Sequence, residues 1–144
     1  MEIKKTKSSI AIVLTFLIAM CVIQCTPKKQ IIKEDDEAVL KRRVQEYWNY
    51  RIRGEWEKSY QYESPDYKEK LNILGYINQN SRLPLKWERY DILEMWTSGD
   101  EGYVKMNVKY RFIIPQTNKA AFEQVTEEKW IKKDNQWYRL SPVL

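Results

Sequence analysis

For acid–base chemistry near neutral pH, this chain offers carboxylates, phenols and amines, because the sequence contains no histidine. This excludes Ser-His and Cys-His nucleophilic pairs, imidazole acid–base catalysis and histidine-containing metal sites. The best-placed carboxylate is Glu128, two residues before Trp130 in a strand-like stretch. If Trp130 points into the core, alternation places Glu128 on the same face. There it could meet Tyr47, Tyr60 or a ligand group. These three residues are the candidate ligand-binding set, and no catalytic or metal-binding residue is predicted.

A buried carboxylate is costly unless it is paired or protonated, so Glu128 has two interpretations. In the first, the strand alternates without interruption and Glu128 forms the floor of a pocket. In the second, a β-bulge changes the inward face, turns Val125 and Ile131 toward the core and leaves Glu128 in solvent near a basic residue. We favour the bulge. In either case, we expect Glu128 to be structural or ligand-orienting rather than catalytic.

A different chemistry is indicated by Cys25, which follows an apolar run of 14 residues from Ile10 to Ile23. A basic stretch, residues 4–7, precedes the run. Fourteen residues are fewer than the roughly 20 that cross a bilayer, and they suit the apolar region of a signal peptide. The segment resembles a bacterial lipoprotein signal. In such a signal, the cysteine that follows the run is acylated and becomes the mature N-terminus.

We therefore predict a signal peptide over residues 1–24, a lipidated Cys25 with a tether over 25–35, and one domain over 36–144. Multiple acylation would hold the domain on a cell-envelope membrane, facing the periplasm or the exterior. Three alternatives stay open. Cys21 could be the modified residue, both cysteines could be apolar filler, or the segment could be retained as a single-pass inner-membrane anchor.

Composition narrows the remaining classes of function. Removal of residues 1–24 takes away three lysines and one glutamate and lowers the net charge from +5 to +3. So small a charge does not indicate a nucleic-acid partner. Both cysteines lie at or before position 25, so the mature domain has no disulfide. The four glycines form no phosphate-binding loop, and no cofactor is predicted.

Hydrophobic periodicity predicts the elements that position the candidate residues. Residues 36–53 form a helix that is capped by Asp36 and ends at Gly54. A short helix is expected from Glu55 to about Tyr62. A third helix begins at Ser64-Pro65, where serine caps and proline takes the first turn. The apolar face of this helix comprises Tyr67, Leu71, Leu74 and Ile77.

From Lys86 onward the period changes to two, which predicts an antiparallel meander of four strands, each paired with the next, over 87–97, 103–114, 121–133 and 136–140. The expected fold is α+β, with three N-terminal helices packed on one face of a curved four-stranded sheet. Trp48 and Trp130 are the expected core residues. The outward face of the second strand carries Lys105, Lys109 and Arg111.

The order of these elements resembles the nuclear-transport-factor-2-like superfamily, also called cystatin-like or ketosteroid-isomerase-like. The segments that carry the resemblance are Val44–Trp48, Gly54–Trp56, Tyr60, Ser64–Tyr67, Glu128–Trp130 and Asn135–Tyr138. The resemblance implies a curved sheet wrapped on a long helix, leaving a conical pocket. Members include isomerases, dehydratases, hydrolases and non-enzymatic binding or dimerisation modules, so the fold does not decide the function.

The favoured function is that of a lipid-anchored envelope protein whose cone-shaped domain binds something without transforming it. The alternative is a small pocket enzyme of the isomerase, dehydratase or hydrolase type, with Glu128 as acid or base and an apolar substrate. A third hypothesis is an assembly module that uses its exposed sheet face. The expected partners are the membrane, through the anchor, and either a small apolar ligand or a protein. The basic outward face of the second strand argues against an apolar dimer interface and leaves a polar homodimer open.

Overall fold

The computed structural model describes residues 35–113 and 120–142. Four helices precede four strands: α1 (Asp36–Arg53), α2 (Trp56–Tyr60), α3 (Pro65–Lys70), α4 (Ile73–Ser81), β1 (Leu85–Ser98), β2 (Glu101–Phe112), β3 (Ala121–Lys133) and β4 (Gln136–Arg139). The strands form one antiparallel sheet in the order β1-β2-β3-β4. The α+β class with N-terminal helices is confirmed. The predicted signal peptide, Cys21, Cys25 and nearly all of the tether lie outside the described residues.

Helix α1 supplies the apolar face that covers the sheet. Its buried residues recur at helical spacing and pack against buried side chains of β2, β3 and β4. Trp48 is 4% exposed and Trp130 is fully buried, which confirms both as core residues. Gly54 follows the last turn with φ 71°, a left-handed conformation that glycine adopts without steric cost.

The start of α1 differs from the prediction. Asp35 is the N-cap residue, and its side chain makes no capping bond. Asp36 lies inside the first turn, where its Oδ1 accepts a hydrogen bond from Lys132 Nζ at 2.6 Å. Its carboxylate therefore ties α1 to β3 instead of capping the helix.

Ser64 and Pro65 start a helix as predicted. The Oγ of Ser64 accepts a hydrogen bond from the backbone N–H of Tyr67 at 3.2 Å. Proline occupies the first helical position, where no backbone donor is needed. Helix α2, which precedes this start, ends at Tyr60 and is therefore shorter than the predicted helix, which reached about Tyr62.

The predicted third helix is two helices, α3 and α4. Leu71 takes an extended conformation, with φ −136° and ψ 113°. Asn72 then caps α4 by accepting a hydrogen bond from the N–H of Gly75 at 2.9 Å. Asparagine is among the best N-cap residues, so it competes with continuation of the helix. The break changes the buried face: Leu74 is 68% exposed, whereas Tyr76 is buried.

The prediction of a β-bulge in β3 is wrong. Strand β3 keeps an uninterrupted antiparallel register with β2, from Glu101 opposite Ile131 to Arg111 opposite Ala121. The register shifts occur instead at two places in β1. Glu128 therefore shares the inward face with Trp130 and is 5% exposed.

The outward face of the sheet carries ion pairs, as the alternation of β2 predicts. Three basic side chains of β2 pair with acidic residues of its neighbours: Lys105 with Glu94, Lys109 with Glu123, and Arg111 with Glu88. Because these pairs are exposed to solvent, which screens their attraction, they contribute little to stability.

Candidate functional site

The candidate site begins where the segment after α2 meets the last strand. The N–H of Ser64 donates to the carbonyl of Arg139 at 3.0 Å, and the N–H of Arg139 donates to the carbonyl of Tyr62 at 2.7 Å. This short parallel bridge sets Glu63 beside Arg139. Glu128 reaches the same place from the inward face of β3. Three chain segments thus bring two carboxylates to one arginine.

Arg139 is the shared counterion of both carboxylates. Its Nε donates to Glu128 Oε1 at 2.7 Å, and its Nη1 lies 3.6 Å from Glu63 Oε1. Ser141 bridges the arginine and Glu63, because its Oγ accepts from Nη1 and donates to Glu63 Oε2 at 2.6 Å. Burial lowers the pKa of Arg139, but the negative charges of Glu128 and Glu63 outweigh it and hold the pKa well above the usual value.

Two indole groups satisfy the second oxygen of Glu128. Oε2 accepts from Trp130 Nε1 at 3.2 Å and from Trp48 Nε1 at 3.4 Å. With the bond from Arg139, every oxygen of this buried carboxylate has a partner. That pairing makes the uninterrupted β3 strand tolerable without a bulge.

Tyr47 joins the ion pairs to a second arginine. Its hydroxyl donates to Glu63 Oε1 at 3.2 Å and accepts from Arg51 Nη1 at 3.0 Å. Burial raises the pKa of Tyr47 well above its usual value, and the charges of Arg139 and Arg51 offset this only in part. The phenol therefore stays protonated near neutral pH and serves as a hydrogen-bond relay between charged groups.

Arg51 is held by neutral groups. Its Nη1 donates to the hydroxyls of Tyr47 and Tyr76, at 3.0 and 3.3 Å. Four aromatic rings lie 5.5 to 5.7 Å from its guanidinium carbon: Tyr47, Trp48, Trp56 and Trp87. Its Nε is buried and has no hydrogen-bond partner among the described residues. Burial and the charge of Arg139 lower the pKa of Arg51, while the phenols of Tyr47 and Tyr76 raise it by more.

A cavity of about 220 Å³ opens against these groups. Its charged lining residues are Arg51, Arg139 and Glu63. The rest of the lining is Tyr67, Tyr76, Gln79, Asn80, Leu83, Ser141 and Pro142. Tyr67 adds another protonated phenol, since burial raises its pKa to about 12. The lining is therefore rich in hydrogen-bond donors and suits a polar or anionic molecule.

The structure brings together two of the three predicted residues. Tyr47 and Glu128 belong to one hydrogen-bonded network through Glu63 and Arg139. Tyr60 lies in a separate aromatic cluster with Tyr76, and its hydroxyl donates to the carbonyl of Leu71 at 2.9 Å.

Sequence reasoning missed Arg51, Glu63 and Arg139. Helical spacing is a signal that could have found Arg51, because Arg51 lies four residues after Tyr47 on the same face of α1. Alternation of side chains along a strand could have found Arg139, because it lies two residues after the buried Trp137 and therefore on the same face. Glu63 lies in a turn, where no periodic pattern predicts which way a side chain faces.

Two further features, a metal-binding cluster and a membrane-spanning helix, are not found among the described residues. Within residues 35–113 and 120–142, no group of three histidine, cysteine, aspartate or glutamate side chains could hold a metal ion. None of the helices in these ranges combines the length and the hydropathy that a membrane-spanning helix requires.

Comparisons with known proteins show a shared fold. No family model and no curated protein matches the chain. A SEC-C motif containing protein from Rhodopseudomonas palustris is similar with a TM-score of 0.54 and 12% identity, over 74% of this chain and 75% of that one. Another from Psychrobacter arcticus has a TM-score of 0.58 and 12% identity, over 75% of this chain and 62% of its own length. This chain therefore spans less than two thirds of the second protein.

A third solved structure is an NTF2-like transpeptidase from Campylobacter jejuni, with a TM-score of 0.42 and 17% identity over 74% of this chain and 97% of that one. At 12% identity, the two SEC-C likenesses show how the elements are arranged and leave the function to the chemistry of the site.

Proposed function

We propose that this chain is a lipid-anchored protein of the bacterial cell envelope whose nuclear-transport-factor-2-like domain binds a small molecule without transforming it. The anchoring part rests on Cys25 at the end of the apolar run. The binding part rests on the cavity beside Arg51 and Arg139. We place the ligand there because small-molecule sites are concave and combine apolar or aromatic walls, here Tyr67, Tyr76, Leu83 and Pro142, with a few oriented polar groups.

One observation favours binding over catalysis: the ionisable groups of the site are already engaged with one another. Glu128 is bonded to Arg139 and two indoles, and Glu63 is bonded to Tyr47 and Ser141. A general base needs an oxygen within reach of a substrate proton. The guanidinium groups, in contrast, can hold and orient a ligand without exchanging a proton.

The binding proposal is tested by obstructing the cavity. Gln79 is an exposed residue on α4 that lines it, so Gln79→Trp should fill the entrance without disturbing the core. We expect ligand-observed NMR with a mixture of small carboxylates, amides, alcohols and apolar compounds to detect binding to the parent. The Gln79→Trp variant should lose that binding.

Asn78→Trp is the matched control, because Asn78 is also exposed on α4 and is not a lining residue. It should bind as the parent does. Equal binding by the two tryptophan variants would place the ligand elsewhere. Conversion of a compound in the mixture by the parent, lost in Glu128→Gln, would favour the enzyme alternative. The apolar compounds test the apolar ligand expected from the sequence.

The anchor is tested by the choice of cysteine. We expect Cys25→Ser to abolish incorporation of labelled fatty acid and to leave an unprocessed precursor in a bacterial host. Cys21→Ser should label like the parent, because Cys21 lies inside the apolar run rather than at its end. Normal labelling of the Cys25→Ser protein would show that Cys25 is not the acylated residue.

A further inference from the structure

The two arginines of the cavity differ in what balances their charge. Arg139 pairs with Glu128 and Glu63. Arg51 donates to two tyrosine hydroxyls, and the phenol of Tyr47 remains protonated because burial raises its pKa. No ion pair links Arg51 to a carboxylate of the described residues. Arg51 is therefore a partly buried cation whose direct hydrogen-bond partners are neutral.

Taking part of a guanidinium group out of water is unfavourable unless its donors find acceptors, and ring faces and phenols replace its hydration only in part. Both hydrogen bonds that Arg51 makes to described residues come from Nη1, and its Nε is enclosed without a partner. This leaves Nη2 without a hydrogen bond to any described residue. Because Arg51 lines the cavity, an occupant of that cavity could supply the missing acceptor.

The charge and size of the cavity limit what that occupant is. Two arginines and one glutamate line it, and Arg139 already pairs with Glu63 and Glu128, so Arg51 is the lining cation without a direct carboxylate partner among the described residues. A singly charged anion would match the single charge of Arg51, whereas a doubly charged phosphate would bring a second negative charge close to Glu63. The volume of the cavity is about 220 Å³. This is below the range of drug-sized pockets and suits a small molecule.

We propose that the cavity recognises a small organic monocarboxylate, whose anionic group pairs with the guanidinium of Arg51. This inference rests on the proposed function, namely that the cavity holds a ligand. Arginine suits the task because its planar donors match the oxygens of a carboxylate. Tyr76 orients Arg51 through its hydroxyl, which is held in turn by Ser59 Oγ at 3.0 Å.

The test uses the full chain, ¹⁵N-labelled, at constant ionic strength maintained with chloride. The probes are acetate, propionate and benzoate, each compared with its uncharged amide, together with inorganic phosphate. We expect at least one carboxylate to shift the side-chain N–H resonances of Arg51 with saturation. The matching amide should give no saturable shift. If no carboxylate shifts Arg51, or if phosphate alone does, the proposal is wrong.

Three variants identify the group that binds. Arg51→Gln should abolish the saturable binding, and Arg51→Lys should weaken it about tenfold or more, because an ammonium keeps the charge and loses the planar donors. Arg53→Gln removes the same charge from the same helix at a side chain that is 51% exposed, and its affinity should equal that of the parent. If Arg51→Gln fails to fold, Arg51→Lys gives the decisive comparison, and unchanged affinity there overturns the proposal.

The Gln79→Trp variant separates this inference from the proposed function. If it blocks binding of other compounds while no carboxylate shifts Arg51, the cavity is a binding site and the ligand class is wrong. If neither effect is seen, both proposals fail. A carboxylate that shifts Arg51 in the parent and not in Gln79→Trp supports both.

Discussion

Arg139→Met is expected to lower the free energy of unfolding by about 3–5 kcal/mol. The change removes the cation that lies 2.7 Å from Glu128 and 3.6 Å from Glu63, whose side chains are 2% and 1% exposed. Methionine keeps much of the apolar stem and leaves two buried carboxylates without a counterion. Urea unfolding of the parent and the variant at neutral pH measures the loss.

The matched control is Arg89→Met, which breaks a 2.7 Å ion pair with Asp91 at a side chain that is 66% exposed. Its loss should be below about 1 kcal/mol, because surface pairs are screened by water. Adding Glu63→Gln and Glu128→Gln to Arg139→Met should recover part of the loss, since an amide needs no counterion. Similar losses in the two methionine variants would show that Arg139 does not neutralise buried charge.

Trp130→Ala is expected to cost about 3–5 kcal/mol of unfolding free energy, because it opens a large cavity in a packed core. Trp130 is fully buried and meets the ring of Tyr47 edge to face, with 5.8 Å between the ring centroids. The substitution also removes the indole donor that lies 3.2 Å from Glu128. Thermal unfolding should show a clear drop in Tm.

Trp96→Ala provides the comparison for Trp130. Trp96 is 45% exposed and stacks on Tyr103 across the outward face of the sheet, at 5.2 Å between ring centroids. Its removal should cost about 1.5 kcal/mol or less, the range of one aromatic pair. Trp130→Phe should lie between the two alanine variants, because it keeps a ring and loses the donor. An unchanged Tm for Trp130→Ala would contradict the core position of Trp130.

Local patterns predicted most of the fold. The range of α1 and its end at Gly54 came from apolar spacing and glycine geometry, both of which act within a few residues. The sheet order likewise followed from alternation and short turns, such as the one at Asp134-Asn135, where both residues have positive φ. The third helix was predicted too long because Leu71 and Leu74 fit helical spacing, whereas the cap at Asn72 interrupts it.

The candidate site was predicted less well. Tyr47 and Glu128 were predicted as site residues from the helix or strand face on which they lie, and both belong to the buried hydrogen-bond network. Glu128 was expected in solvent because a lone buried carboxylate is unfavourable, and its partner Arg139 is 11 residues away on another strand. Tyr60 was expected near them and lies in the neighbouring aromatic cluster instead.

The sequence by itself determined the α+β class, the order of the strands, the core tryptophans and the classes of chemistry that a chain without histidine excludes. Each depends on residue type, or on spacing along one helix or strand. Only the tertiary structure decided that Glu63 and Glu128 share Arg139 as a counterion, and that Arg51 has neutral hydrogen-bond partners beside a cavity. The cost of burying a charge depends on partners from distant segments, and no pattern within one element contains that information.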